Sequence, residues 1–178
     1  MSLKKYYKIG KKKLFPICRS ITGSGIRNTL KIIKNEFPML KIHKVNSGKK
    51  VFDWHIPDEW NISDAYIIDK NKKKIVDFKK NNLHVVGYSK PCNLIVSKKK
   101  LLKHLHSLPS KPTAIPYITS YYKKYWGFCL SHNHHKFIKK NYRYDEKFKV
   151  VIKSKLNKKG VLNYGELIIK GNSKQEIL

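Results

Sequence analysis

The sequence predicts an α+β protein: a helical start and one strand of an α/β layer, followed by a β-rich insert. Three observations carry this reading. Apolar residues recur at helical spacing only near the start and in one later stretch. From Val51 the texture changes to short alternating runs bounded by turn residues. No repeat or low-complexity linker divides the 178 residues, a length that suits one domain or a domain with an insert.

Taken in order, residues 2–37 read as helical. In "SGIRNTLKIIKNEF" Ser24 is placed to cap a helix, and Ile26, Leu30, Ile33 and Phe37 share one face. Pro38 ends it, "MLKIHKV" reads as a strand, and "NSGK" as the turn out of it. Phe52, Trp54 and Ile56 alternate as a strand would. "AYIID" and "KIVDF" flank "KNKK" as a hairpin, with "LHVVGY" as a further strand. Ser97 is placed to cap "KKKLLKHLHSL", whose Leu101, Leu105 and Leu108 share a face. After the aromatic block "YITSYYKKYWGF", the runs "FKVVIKSKL" and "VLNYGELIIKG" read as a hairpin joined by "NKKG".

Composition limits the function classes. The formal charge of +29 invites a nucleic-acid reading, but only three of the 40 basic residues are arginines (Arg19, Arg27 and Arg143). Lysine cannot copy the arginine fork that reads phosphate and guanine edges. The lysines also run along the whole chain instead of forming one basic helix, so a solvated lysine-rich surface is the favoured reading. The three cysteines, Cys18, Cys92 and Cys129, are far apart and odd in number, which fits reduced thiols. No apolar run approaches the ~18 residues of a membrane span, and the basic start lacks a signal-peptide core. The expected location is the cytoplasm.

The stretch "GFCLSHNHHKF" sets Cys129 close to His132, His134 and His135, the residue types of a zinc site. If the stretch is extended, His132 and His134 share a face while Cys129 and His135 point to the other. No second Cys/His cluster follows at finger-like spacing, so histidines around a loop are the favoured reading. "CRSITGSG" could form an anion-binding turn near Arg19, but it lacks a P-loop lysine and follows no strand. In "DWHIPDEWN", Asp53, Asp58 and Glu59 could supply acid chemistry, although Trp54 and Trp60 make a packed aromatic turn the favoured reading. No Ser-His-Asp pattern, HExxH motif or carboxylate dyad is complete.

"LFPICRSITGSGIRNTL", "VFDWHIPDEWNISDAYIID", "DFKKNNLHVVGYSKPCN" and "IPYITSYYKKYWGFCLSHN" together resemble a bacterial family of aminopeptidase-like proteins. That family has long been catalogued as a domain of unknown function and often accompanies surface-polysaccharide genes. The resemblance runs over almost the whole chain. It implies a zinc-exopeptidase fold of the leucyl-aminopeptidase type with a β-rich domain inserted near its N-terminus. Residues 1–48 would then supply the first helices and strand, 49–163 the inserted domain, and 164–178 a return strand, an incomplete fold by itself. It also implies that zinc is the cofactor of the complete protein, polarising a peptide carbonyl and activating water beside a carboxylate base. The family's His- and Asp-bearing ligand motif would begin after "YGELIIKGNSKQEIL", so no catalytic or metal residue is assigned in this chain. What carries over is a candidate cleft wall: Arg19, Thr22, Tyr117, Thr119, Tyr121, Tyr122, His132 and Asn133. Relatives often have arginine where this chain has Ile118.

The resulting expectation is an N-terminal fragment of a zinc-dependent aminopeptidase-like hydrolase, inactive alone, whose partner would be the missing catalytic half and whose complete form would act on a peptide-like substrate. The rival readings are a basic module for nucleic acid or acidic polysaccharide, or a subunit completing another chain's active site. With little sheet to cover it, the helix face Ile26–Phe37 predicts that residues 1–45 are labile while about 50–165 is protected.

Overall fold

The computed structural model describes residues 3–171. Helix α1 (Leu3–Ile9) runs into a π-helical turn at Gly10–Leu14, and residues 15–23 cross irregularly to α2 (Ser24–Glu36). The continuous helical reading therefore breaks at Phe15. Ser24 is also not the cap. Gly23 occupies that position at φ 92°, because it must pass so close to the Trp60 carbonyl that a Cβ would collide with it. The Ser24 N–H instead donates to Asn61 Oδ1 at 2.7 Å, so a side chain from another element closes the helix start.

Strand β1 (Lys41–Asn46) follows as predicted. The expected Phe52–Ile56 alternation is replaced by a tight ribbon, β2 (Lys50–Val51) and β3 (Trp54–His55), which turns through Phe52 at φ 52°. The turn throws the Phe52 ring into solvent, 91% exposed, and only Ile56 of the three is buried. Strands β4 (Glu59–Ile68) and β5 (Lys74–Asp77) form the predicted hairpin. "LHVVGY" is a 3-10 turn at Asn82–His84 and an irregular segment held by single bridges, Val85 to Phe128 and Gly87 to Thr119. Strand β6 (Cys92–Ser97), which the sequence reading missed, leads into α3 (Lys98–Leu102), and Ser97 Oγ accepts from the Lys100 N–H as expected of a cap. The helix is shorter than its leucine spacing suggested. Leu105 belongs to β7 (Leu105–His106), which pairs in parallel with β8 (Phe128–Cys129).

Helix α4 (His132–Asn141), also missed, is capped by Ser131 Oγ and buries Ile138. Strand β9 (Lys147–Asn157) completes an antiparallel sheet of order β5-β4-β9-β6. The core lies on one face of that sheet, where Ala65, Ile67, Phe148, Val150 and Ile152 meet Leu101 of α3, Phe128 of β8 and Ile138 of α4. Lys98 is buried among them, and its ammonium donates to the Lys139 and Tyr142 carbonyls at the end of α4, where the helix dipole favours a cation.

The predicted hairpin of β9 with β10 (Val161–Glu166) does not form. At "NKKG" the chain leaves the four-stranded sheet, and β10 pairs instead with β1, from Lys41↔Glu166 to Asn46↔Val161. A residue distant in sequence holds the turn: the Val161 N–H donates to Glu59 Oε2 at 3.0 Å, and Gly160 packs against the Glu59 side chain where the strand leaves β9. Helix α2 covers one side of this ribbon, with Leu30 and Leu40 against Gly165. Residues 172–178, the end of the expected return strand, lie outside the described residues, as does Ser2. No helix among the described residues is long and apolar enough to cross a membrane.

Candidate functional site

A cleft of about 1050 Å³ opens between residues 15–28 and the segment after β5. Its floor is β4, through Trp60 and Ile62. One wall carries Cys18, Arg19 and the first turn of α2, and the other runs from Phe78 to Gly87, with Tyr117 at the edge. Asn82 Nδ2 donates to the Phe15 carbonyl at 3.1 Å and so ties one wall to the other.

Behind the floor is a buried polar knot that fixes the wall positions. Thr22 Oγ1 lies 2.6 Å from Tyr88 Oη and accepts from the Trp60 N–H at 3.0 Å. Trp60 Nε1 donates to the Ser89 carbonyl, which also accepts from Ser154 Oγ. The Tyr88 ring stacks on Trp60, with Tyr121 edge-on to it. Burial pushes the Tyr88 phenol up to about 12, so it stays a neutral hydrogen-bonding group. Tyr88 holds φ 63°, an unusual angle for a ring-bearing residue, and one that the surrounding contacts enforce.

Beside the knot, Glu59 accepts from Arg27 Nη2 at 2.7 Å, from Asn61 Nδ2 and from the Val161 N–H. The Arg27 hydrogen bond, helped by Val161 and Asn61, draws its carboxyl down to about 2 against the cost of burial. Glu59 is therefore a fixed anion joining α2, β4 and β10. That arrangement suits a structural ion pair better than a general acid.

The expected cleft residues separate into groups. Arg19 and Tyr117 line the cleft. Thr22 and Tyr121 sit behind it in the knot, and Thr119 bridges to Gly87 on the far wall. Tyr122 reaches away to donate to the His55 carbonyl at 2.6 Å. His132 and Asn133 begin α4 and do not line the cleft; the Asn133 N–H donates to the Pro112 carbonyl. Tyr88 was missed as a site residue. Its signal was the "VVGY" stretch, which period-two reading assigned to a plain strand.

The helical setting of α4 also changes the histidine cluster. His132 and His135 share a face, and their Nδ1 atoms lie 3.0 and 3.1 Å from Ser107 Oγ. Cys129 is buried in β8 with its thiol pushed up to about 12 by burial. Burial and the neighbouring His84 hold His134 below the usual imidazole range. Among the described residues no group of three or more His, Cys, Asp or Glu could hold a metal ion.

Residues 59–155 match the domain of unknown function DUF2172. The chain belongs to the DUF2172 family. A Clostridium acetobutylicum protein named "Putative polysaccharide biosynthesis protein with aminopeptidase-like domain" is 49% identical over 166 residues, a match covering 93% of this chain. A solved structure from the same organism, named a "putative peptidase", has a TM-score of 0.78 at 44% identity and covers 92% of this chain. The aminopeptidase-like resemblance and the mixed α and β fold are thus found in sequence and in structure. The DUF2172 chain spans 37% of the curated relative and 39% of the solved structure.

Proposed function

We propose that this DUF2172 chain supplies the first helices and the inserted domain of a zinc-dependent aminopeptidase-like hydrolase linked to polysaccharide biosynthesis, and that it does not hydrolyse peptides alone. The observation that carries this reading is the match over 93% of this chain to 37% of a relative named for an aminopeptidase-like domain. In the reading, zinc belongs to the portion of the relative that this chain does not span, and no catalytic step is assigned to residues here. The role left to the chain is to form one wall of the substrate cleft, through Arg19 and Tyr117, on the rigid base set by Thr22, Tyr88 and Trp60.

A chimera tests the proposal: this chain replaces the matching portion of the Clostridium relative, and both are assayed on aminoacyl-p-nitroanilides with added zinc. The chimera is expected to keep activity within about tenfold of whatever the intact relative shows, with the isolated chain at background and free of stoichiometric zinc after dialysis. Hydrolysis by the isolated chain at the chimera's rate, or about one zinc per chain by elemental analysis, overturns it.

A further inference from the structure

We propose that the cleft beside Arg19 is a binding site for a carboxylate-bearing saccharide, a property that does not depend on peptide hydrolysis. Three cationic residues, Arg19, Lys79 and Lys80, line a cleft whose lining includes no aspartate or glutamate. None of the three forms an ion pair among the described residues. Few of the protein's lysines and arginines are ion-paired, so what distinguishes this cleft is that three cationic residues converge on one cavity with no acid in its lining. Arg19 is partly held by one hydrogen bond from Nη1 to the Leu14 carbonyl, which leaves the rest of the guanidinium fork for a carboxylate.

The remaining chemistry points to a sugar. The walls carry neutral amides, including the exposed Asn28 on α2, which can both donate to and accept from hydroxyl groups. Tyr117 at the edge is 60% exposed, a flat ring face of the kind on which a pyranose can rest. At about 1050 Å³ the space matches the upper end of small-ligand sites and exceeds what one inorganic anion needs. An acidic peptide is the competing occupant. Strand β5 pairs with β4 only over Tyr66–Ile68, so at Trp60 and Ile62 the floor strand has, among the described residues, a ladder partner on the β9 side alone. The test therefore sets an acidic peptide against the saccharide.

The test is calorimetric titration of the 178-residue chain at 150 mM salt with tetragalacturonate, its neutral methyl ester and tetraglutamate. Tetragalacturonate is expected to bind at one per chain, at least ~10-fold tighter than either comparator. Arg19→Gln should weaken it by ~10-fold or more, while Arg19→Lys, which keeps the charge, should recover part of the loss. Because Arg19 also holds Leu14, Asn28→Ala and Lys79→Gln/Lys80→Gln serve as variants free of that contact, each expected to cost about three- to tenfold. Lys158→Gln/Lys159→Gln removes the same charge from an exposed turn outside the cleft and should change affinity less than ~2-fold. Equal losses from the two lysine pairs would show diffuse attraction and overturn the site. So would tetraglutamate binding as tightly as the saccharide, or no saturable binding at millimolar ligand.

Discussion

Strands β9 and β10 are neighbours in the chain and both pair antiparallel, but they end in different surroundings. Strand β9 lies between two partners and buries Phe148, Val150 and Ile152 in the core. Among the described residues strand β10 has β1 as its strand partner and an isolated bridge from Leu162 to Thr22, and neither strand of that ribbon contains a buried residue. Near the ribbon Tyr164, Met39 and Ile169 stand 48, 73 and 83% exposed. Pairing satisfies the backbone on both edges of β9 but mainly on one edge of β10, and β9 also buries far more apolar surface, so both terms set the two regions apart.

Helix α2 stands between these extremes. Of its predicted face, Leu30 is buried, Ile26 and Ile33 are partly covered, and Phe37 is 40% exposed. Its first turn, however, is pinned to β4 through Thr22, Asn61 and Glu59. Within residues 1–45, where the sequence leads to the expectation of one labile segment, these contacts tie the start of α2 to the sheet, so its opening is expected to follow that of the sheet and not that of the ribbon.

The largest effect expected is in the sheet. Phe148→Ala should destabilise by about 4 kcal/mol in urea denaturation, since the ring is fully buried against the core. A loss below about 1 kcal/mol would mean that the sheet is no better packed than the ribbon.

Next comes the ion pair at the junction. The folded Glu59 carboxyl is depressed to about 2 from an ordinary 4.5, so its contribution is complete above about pH 5 and is lost as pH falls toward 2. The shift corresponds to roughly 3 kcal/mol. Glu59→Gln should remove most of it at pH 7 and flatten the acid limb of the stability profile. An unchanged acid limb in the variant would assign that limb to other carboxylates.

Within the knot, Thr22→Val should cost about 2 kcal/mol, because it leaves the buried Trp60 N–H and Tyr88 hydroxyl without their shared partner. Combining it with Tyr88→Phe should cost less than the sum, measured by a double-mutant cycle. Strict additivity would contradict the shared hydrogen bond. The smallest effect belongs to the ribbon, where Tyr164→Ala should change stability by less than about 1 kcal/mol despite its stacking on His43.

Local signals that depend on neighbouring residues were legible in the sequence. The Ser97 cap, the Pro38 stop, the β4–β5 hairpin and strand β1 all formed as read. Features decided by distant partners were not. Ser24 resembles a cap, yet Trp60 and Asn61 decide how that helix begins. "NKKG" resembles a hairpin turn, yet Glu59, far away in sequence, captures Val161. The site divides in the same way. Of the residues read as a cleft wall, Arg19 and Tyr117 lie at the cavity beside β4, while the motif that contained His132 and Asn133 folds into α4, elsewhere. The Ser131 cap and buried Ile138 of that helix were readable signals, hidden by the metal-like appearance of the histidines.

Native-state hydrogen exchange tests the central claim most directly, because it reads the sheet, the α2 start and the ribbon in one sample. The account predicts that the amides of β4 and β9 exchange only through global unfolding. Those in the first turns of α2 should follow within about 1 kcal/mol, while the β1–β10 amides open at least 2 kcal/mol more easily. Ribbon amides as protected as those of β9 would contradict it.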